Sequence, residues 1–242
     1  MLTAANAVQA KTDSLVAGNP AVVALDNSTL EGSTVTVELM TGGAPLTLLG
    51  TLPAGFELDA NSVDSNGINV CHMFRKREVT GGENSWNFSY ISANNWSWRV
   101  TEWNVALEVM SPLEAVTAFA TSGTGPTTVS TGTTQTTGRA DLVCLAWHHW
   151  QRSSNTAQAM TFSGHTDTTA DFSIRDELRF TAGTAEFAEC WSWAFSDIPG
   201  AFETTATINL TTRSAVDLYI AQLVVYAAAT PDIIAGPTMA GG

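Results

Sequence analysis

Large aromatic residues alternate with small polar ones along residues 86–107 of the chain, WNFSYISANNWSWRVTEWNVAL. A period of two is typical of a strand that buries one face. The break at residues 92–95 has turn chemistry, because Asn tolerates the left-handed backbone region. The pattern therefore predicts an antiparallel hairpin, with Phe88 opposite Trp98 and the large side chains on one face. These side chains are Trp86, Phe88, Tyr90, Trp96, Trp98 and Val100.

After this hairpin the apolar positions shift by one residue. Trp103, Val105 and Leu107 are odd-numbered, whereas the preceding apolar positions are even-numbered. A shift of one residue within a strand usually marks a bulge or a bend. We therefore expect a bulge near Thr101 and Glu102.

Composition and turn spacing indicate an all-β chain. Only 14% of the 242 residues are charged, and Thr, Ser, Ala and Gly take their place. Short apolar segments are separated by turn residues every ten or so positions, which is typical of a sandwich or a jelly roll. Residues 142–150 form a continuous apolar run and should be a strand buried on both faces. The predicted fold is an antiparallel β-sandwich of jelly-roll type with short N- and C-terminal arms.

The predicted domain organisation is a single sandwich flanked by two arms. Residues 1–25, rich in Ala, form an N-terminal arm that is either a short helix or extended. Residues 26–229 form the sandwich, and residues 230–242 form a tail that contains Pro and Gly.

A weak internal repeat divides the predicted sandwich into halves at about residues 33–110 and 139–227. Each half has a strand with a Cys near its start, then a Gly, then two strands separated by a polar turn, so that Cys71 matches Cys190. One sandwich is preferred over two domains, because neither half has enough predicted strands to cover both faces.

Net charge, hydropathy and cysteine positions indicate which partners and which compartment to expect. The net charge is −13 with 10 Lys and Arg, and residues 75–77 are the only basic cluster, so we expect no nucleic-acid binding. No apolar run reaches the roughly 20 residues that span a bilayer, and the N-terminus lacks a signal-peptide pattern, so we expect synthesis in a cytoplasm and no membrane partner. Cys71, Cys144 and Cys190 lie in apolar runs and are predicted to be buried free thiols.

The His residues do not predict a metal site. His148 and His149 are adjacent on a predicted strand, so their side chains point to opposite faces and cannot easily chelate one ion. His165 and Asp167 have a same-face spacing but no evident third ligand. We predict no metal and no cofactor.

Two carboxylates near the aromatic hairpin, Glu102 and Glu108, could serve as the acid and base of a glycosidase. The chain lacks the tight Glu-x-Asp-x-x-Glu cluster of jelly-roll glucanases, and it has no nucleophile elbow and no P-loop. We therefore predict no catalytic residue, and a polysaccharide-degrading enzyme is the third alternative.

The chain has 8 Trp, which could either fill a core or stack on sugars. The alternation around residues 86–100 favours a core position for the hairpin residues. Trp103, Trp147 and Trp150 lie outside that pattern and are the candidates for surface aromatic contacts, including contacts with a host-surface glycan.

The order of motifs resembles that of β-sandwich structural proteins in the virions of tailed bacteriophages, where they serve as head decoration or fibre proteins or as tail components. The resemblance covers roughly residues 27–226. Its motifs are a strand at residues 27–39, the turn Leu-Pro-Ala-Gly-Phe at 52–56, the Thr-Gly-Gly at 80–82, the Trp-rich pair ending at 103, the Thr/Gly tract before residue 141, and a closing strand at 223–226.

This resemblance implies a non-enzymatic component of a tailed-phage virion. Such a protein would be a head decoration, fibre or tail-associated protein that binds other virion subunits, such as major capsid or tail proteins, and forms a homo-oligomer. Its location would be the virion, after synthesis in the host cytoplasm. The alternative function is a carbohydrate-binding module or adhesin that contacts a host surface.

Overall fold

The computed structural model describes most of the chain, and nearly all of its regular structure is antiparallel β-strand. The described residues are 2–42, 52–63, 69–89, 94–112, 116–119, 127–131, 134–135, 141–152, 161–166, 173–198, 200–203, 205–209 and 218–229. Within them, a single 3-10 turn at Ala4–Asn6 is the only helical segment. The predicted tail at residues 230–242 lies outside the described residues.

The first half of the chain forms a five-stranded sheet and a separate two-stranded sheet. The large sheet has the order β1-β7-β3-β5-β4, and β2 pairs with β6. The strands are β1 (Ala7–Gly18), β2 (Ala21–Ala24), β3 (Thr34–Gly42), β4 (Phe56–Val63), β5 (Asn69–Lys76), β6 (Ser85–Phe88) and β7 (Asn94–Trp103).

The second half forms a second large sheet and two smaller ones. The large sheet has the order β14-β15-β12-β18-β8, with β9 also on β18, and the smaller sheets are β10-β17-β13 and β11-β16. The strands are β8 (Leu107–Pro112), β9 (Val116–Phe119), β10 (Thr127–Ser130), β11 (Thr134–Gln135), β12 (Leu142–Arg152), β13 (Thr161–Thr166), β14 (Ser173–Ala182), β15 (Ala185–Ser196), β16 (Ala201–Phe202), β17 (Thr205–Asn209) and β18 (Leu218–Ala228).

The two halves share one strand order. In the first half the order is β1-β7-β3-β5-β4 with β2 on β6, and in the second it is β8-β18-β12-β15-β14 with β10 on β17. Cys71 and Cys190, which define the sequence repeat, lie on the corresponding strands β5 and β15. The shared order begins at β1, so the first half starts earlier in the chain than the repeat predicts.

Opposite faces of the two large sheets contribute to different cores. Val37 of β3 and Trp98 of β7 pack towards the β2-β6 pair, in a cluster that includes Val23 and Phe88. The other face of this sheet meets the second large sheet, where Met40 packs in one cluster with Trp147, Trp191 and Ile220. A second contact cluster includes Met73, Trp103, Trp193 and Tyr226. The first strand of each half lies beside the opposite edge strand of the other large sheet, β1 beside β14 and β8 beside β4.

The predicted aromatic hairpin is wrong in its pairing but correct in its core. β6 pairs with β2, and β7 pairs with β1 and β3, so Phe88 and Trp98 lie in different sheets. Their side chains nevertheless share one buried cluster. Alternation identifies the buried face of a strand, whereas it does not identify the neighbour that completes the hydrogen-bond ladder.

The expected bulge near Thr101 and Glu102 is not in β7. The register of β7 with β3 is continuous there, and the irregularity lies on β1, which has the extra residue Val8 opposite that site. Trp103 is out of phase with Trp98 because it faces the second large sheet, in contact with Trp193. The shift of apolar positions therefore reflects a strand with two buried faces.

Residues 1–25 do not form an arm in the structure. β1 pairs with β7 along residues 7–18, and β2 pairs with β6 along residues 21–24. Two other expectations are confirmed: β12 is buried along residues 142–151 between β15 and β18, and the three Cys are buried free thiols.

Candidate functional site

A layer of polar side chains lies between the two large sheets. Along β7 the residues that alternate with Trp96, Trp98 and Val100 are Ser97 and Arg99, and both are buried. In a sheet with one solvent-facing side these positions would be exposed. Here the second sheet covers them, so the polar members of the alternation must find partners inside the protein.

Glu189 of β15 is the centre of the first polar group. It is fully buried, and it accepts hydrogen bonds from Trp147 Nε1 at 2.6 Å and from Ser97 Oγ at 2.9 Å. His149 Nδ1 lies 2.7 Å from the Oε1 atom that also binds Ser97. A buried carboxylate needs such donors, because it has lost its water. The Ser97 bond crosses from one sheet to the other and ties β7 to β15.

Arg99 is the centre of a second polar group near the β1 edge. Its guanidinium donates to Asp176 Oδ2 at 3.0 Å and lies 4.9 Å from the centre of the Trp193 ring. Thr12 of β1 donates to the same carboxylate oxygen at 2.5 Å. Burial lowers the pKa of Arg99 from its ordinary value, while the carboxylates around it oppose that shift.

Glu38 lies opposite Arg99 in the register of β3 with β7 and is buried. Burial raises the pKa of its carboxyl to about 7, and the nearby Arg99 charge only partly offsets this effect. Within the described part of the chain, Oε2 of this carboxyl has no hydrogen-bond donor. A carboxyl with this pKa keeps its proton in a substantial fraction of molecules at neutral pH, where an exposed Glu would be fully ionised.

Arg75 is the centre of a third polar group, on the far side of the same layer. It donates to Leu107 O at 2.7 Å and lies 3.3 Å from Asp59 Oδ1. Tyr226 of the second sheet donates its hydroxyl to Asp59 Oδ2 at 2.9 Å. Burial raises the pKa of Asp59 to about 6 despite both partners, and burial raises the pKa of Tyr226 as well.

These three groups tie one sheet to the other at three points. Ser97 and His149 both bind Glu189, so the serine has the carboxylate as its partner where a catalytic serine would need the imidazole. All three residues are buried. The chemistry that this arrangement supports is charge neutralisation and positioning of the sheets.

The structure places the three candidate surface tryptophans in the interior, which corrects that prediction. Trp103, Trp147 and Trp150 are each at most 1% exposed. Trp103 donates its Nε1 hydrogen to Thr36 Oγ1 at 3.0 Å, and Trp147 is stacked on Trp191. Stacking on a sugar requires an accessible ring face, which none of the three offers.

The other residues singled out by sequence are also separated. His149 faces the first sheet and contacts Glu189. His148 is buried on the opposite face of β12, the face that also carries Cys144 and Ala146. The adjacent imidazoles therefore diverge, as the strand prediction requires. Asp167 lies outside the described residues.

Glu102 is buried and bound to one backbone donor and two side-chain donors of the first half. It accepts hydrogen bonds from Leu30 N at 2.6 Å, Ser33 Oγ at 2.8 Å and Gln9 Nε2 at 2.6 Å. Glu108 lies on β8 of the other large sheet. Glu102 is thus used to hold residues 30–33 against β7, and this role was not predicted.

The basic cluster at residues 75–77 is paired with carboxylates. Besides the buried Arg75, Lys76 bonds Glu83 at 2.5 Å and Arg77 lies 3.6 Å from Glu57. The hydrogen bond to Lys76 lowers the pKa of Glu83. The cluster therefore does not present three unpaired cations on one surface.

Glu189, Glu38, Arg99 and Asp176 were not predicted as site residues. A signal for Glu189 exists: it is the one charged residue on a face of β15 otherwise formed by Phe187, Trp191, Trp193 and Phe195. A single carboxylate within an aromatic face indicates a buried group with a partner. No comparable local signal identifies Asp176, because its partners Thr12 and Arg99 are distant in sequence.

Searches of protein-family models, curated proteins and solved structures found no match to this chain. Among the described residues no group of three or more His, Cys, Asp or Glu is arranged to hold a metal ion. The same residues include no helix with the length and apolarity needed to cross a membrane.

Proposed function

We propose that the chain is a non-enzymatic structural component of a tailed-phage virion, in which it decorates the head, contributes to a fibre or associates with the tail. It binds other virion subunits, such as major capsid or tail proteins, and copies of itself. The resemblance of the motif order over residues 27–226 introduces this proposal, and the duplicated strand order is the observation that carries it.

The duplicated order supports a jelly-roll topology in each half. In a jelly roll two antiparallel sheets face one another, and their strands are connected as Greek keys. Here the first strand of each half pairs with the last, β1 with β7 and β8 with β18. A strand near the start of each half pairs with the penultimate strand, β2 with β6 and β10 with β17. Jelly rolls are common in viral capsid proteins and in lectins, so the topology favours these two classes over others.

The polar layer favours the structural class within this pair. Three groups of charged and hydroxyl side chains tie the sheets together, and their members are bonded to one another. Such a network rigidifies a subunit that must keep its shape in an assembly. The carbohydrate-binding alternative depended on Trp103, Trp147 and Trp150, and all three are buried.

The test locates the chain in the source particle. Purified virions are analysed by quantitative mass spectrometry, and an antibody or a labelled tag shows its position by electron microscopy. We expect a fixed copy number relative to the major capsid or tail protein, and label on one structure of the particle. A chain that remains free in the host lysate and is missing from banded particles overturns the proposal.

A parallel assay separates the alternatives. The purified chain is incubated with host-surface polysaccharide, and binding and release of reducing sugar are both measured. Saturable binding without particle association favours an adhesin, and sugar release favours an enzyme. Neither signal is expected of a virion building block that contacts only protein.

A further inference from the structure

We propose that two copies of the chain associate through β1, which pairs antiparallel with β1 of the second copy with Thr12 opposite Thr12. Among the described strands β1 has β7 as its only partner and forms an edge of the first large sheet. An edge strand of this length has backbone hydrogen-bonding groups along its outer side and is a natural template for another strand. The backbone N–H of Ser14 donates to Asp13 Oδ1 at 2.8 Å within the chain, and pairing with a second copy would replace this local bond.

The regular part of β1 is symmetric about Thr12. Its register with β7 is continuous from Gln9 to Leu15, and a register shift lies at each end of that segment. Val8 lies at one shift and Val16 near the other, each 46% exposed. Both are four residues from Thr12, so the proposed pairing places Val8 of one copy opposite Val16 of the other on both sides of the axis.

The charges next to Thr12 are complementary in the same register. Lys11 lies opposite Asp13 of the second copy, and this pair occurs twice because of the two-fold symmetry. Opposite charges directly across an antiparallel ladder stabilise it, whereas like charges destabilise it. Lys11 also bonds Asp26 of its own chain at 2.8 Å, but both side chains remain substantially exposed. Lysine has three donors and can bind both carboxylates.

The edge strand β14 of the second large sheet lies beside the middle of β1. Thr12 donates a hydrogen bond to Asp176 of β14, which brings these two positions together. Leu178 follows Asp176 on the same face of β14, and Ile174, which a register shift separates from Asp176, is 39% exposed. A two-fold axis through Thr12 therefore brings the β14 edges of the two copies towards each other, and Arg99 neutralises each Asp176 near that axis.

This inference rests on the self-association in the proposed function and not on the virion location. Sedimentation velocity and light scattering are measured on the full chain at physiological salt, which screens repulsion between two copies of net charge −13. We expect a dimer. Asp13→Lys places Lys opposite Lys, Lys11→Asp places Asp opposite Asp, and each should weaken dimerisation about tenfold.

The charge swap Lys11→Asp with Asp13→Lys is the matched control. It restores opposite charges across the proposed axis while it removes the bond to Asp26, so recovery of the dimer cannot come from repair of the monomer. Tryptophan fluorescence verifies that each variant is folded. A monomeric wild-type chain overturns the inference, as does a dimer whose affinity none of the three variants changes, and neither result bears on particle location.

Cysteine crosslinking tests the register. In the proposed pairing Ala10 lies opposite Ser14 of the second copy, and directly opposed strand positions are close enough for a disulfide. Ala10→Cys mixed with Ser14→Cys should crosslink under oxidation, while either variant alone should not. The three native Cys are buried. Crosslinking of one variant with itself, or none in the mixture, would refute Thr12 as the centre.

Discussion

Glu38→Gln should make the folding stability of the protein less sensitive to rising pH. The folded-state pKa of Glu38 is raised from 4.5 to about 7 by burial. Between these two values the folded state holds a proton that the unfolded state has released, so folding stability due to Glu38 is lost as pH rises through this window. Gln is the uncharged isostere of the protonated carboxyl and has no proton to lose.

The expected size follows from the pKa difference. A shift from 4.5 to about 7 is worth about 3 kcal/mol when it is fully expressed. At about pH 5 part of this cost is already present, because the unfolded carboxyl is already mostly ionised. Going from about pH 5 to about pH 8, the wild type should therefore lose about 2.5 kcal/mol more stability than Glu38→Gln.

The assay is urea unfolding followed by Trp fluorescence at both pH values, with the variant compared with the wild type at each. This double difference cancels the groups that both proteins share, including His72, whose pKa is lowered to about 4 by burial and which acts in the opposite direction. Glu31→Gln removes the same formal charge from an exposed position and is the matched control. An equal effect of Glu38→Gln at both pH values would refute the reasoning.

Three further substitutions test the polar layer and its surroundings by unfolding free energy. Glu189→Gln should cost about 3 kcal/mol, because the amide nitrogen replaces one of the two carboxylate oxygens and leaves either Trp147 Nε1 or Ser97 Oγ without its acceptor; an effect below about 1 kcal/mol would contradict a central role. Trp103→Phe should cost about 2 kcal/mol through lost volume and the lost bond to Thr36, and a neutral result would show that the site repacks freely. Arg75→Met should cost about 3–5 kcal/mol at neutral pH and less at acid pH, because it leaves a buried carboxylate without its cation; a cost independent of pH would argue against that cause.

The sequence predicted the strands far better than their partners. Local alternation places Val35, Val37 and Leu39 on one face of β3, and the structure puts all three in the core with β2 and β6. In the Thr-Gly-Gly motif at residues 80–82, Gly81 and Gly82 both adopt φ of 80°, a conformation that favours glycine. These features are set by neighbours in sequence.

Strand pairing depends on contacts that are distant in sequence, and there the prediction was wrong. The sequence between Trp86 and Trp98 has turn residues, and a hairpin is the default prediction for such a pair. The chain instead places β6 on β2 and β7 between β1 and β3. β6 and β7 do not pair with each other, but they bury their aromatic faces against each other across one core.

The candidate site could not be predicted for a related reason. Ser97 and Arg99 have the pattern of a solvent-facing side, and only the presence of the second sheet turns that side into an interior. Whether a second sheet covers that side depends on how all the strands of the second half pair. A polar residue between aromatic residues is therefore ambiguous until the number of layers is known.

The polar layer has a consequence for how the two sheets are positioned. An apolar contact between two sheets is non-directional and tolerates sliding, whereas a hydrogen bond links two named atoms. Ser97 with Glu189 fixes one point, and Tyr226 with Asp59 fixes another on the far side of the layer. Two such points determine both the offset and the angle between the sheets, so burying charged groups here costs stability but selects one arrangement.

We expect loss of either pair to broaden the native ensemble more than it lowers the unfolding free energy. Amide exchange across β7 and β18 distinguishes the two effects. Faster exchange confined to the strand on the altered side would support positioning, and uniform acceleration throughout would indicate a loss of global stability alone.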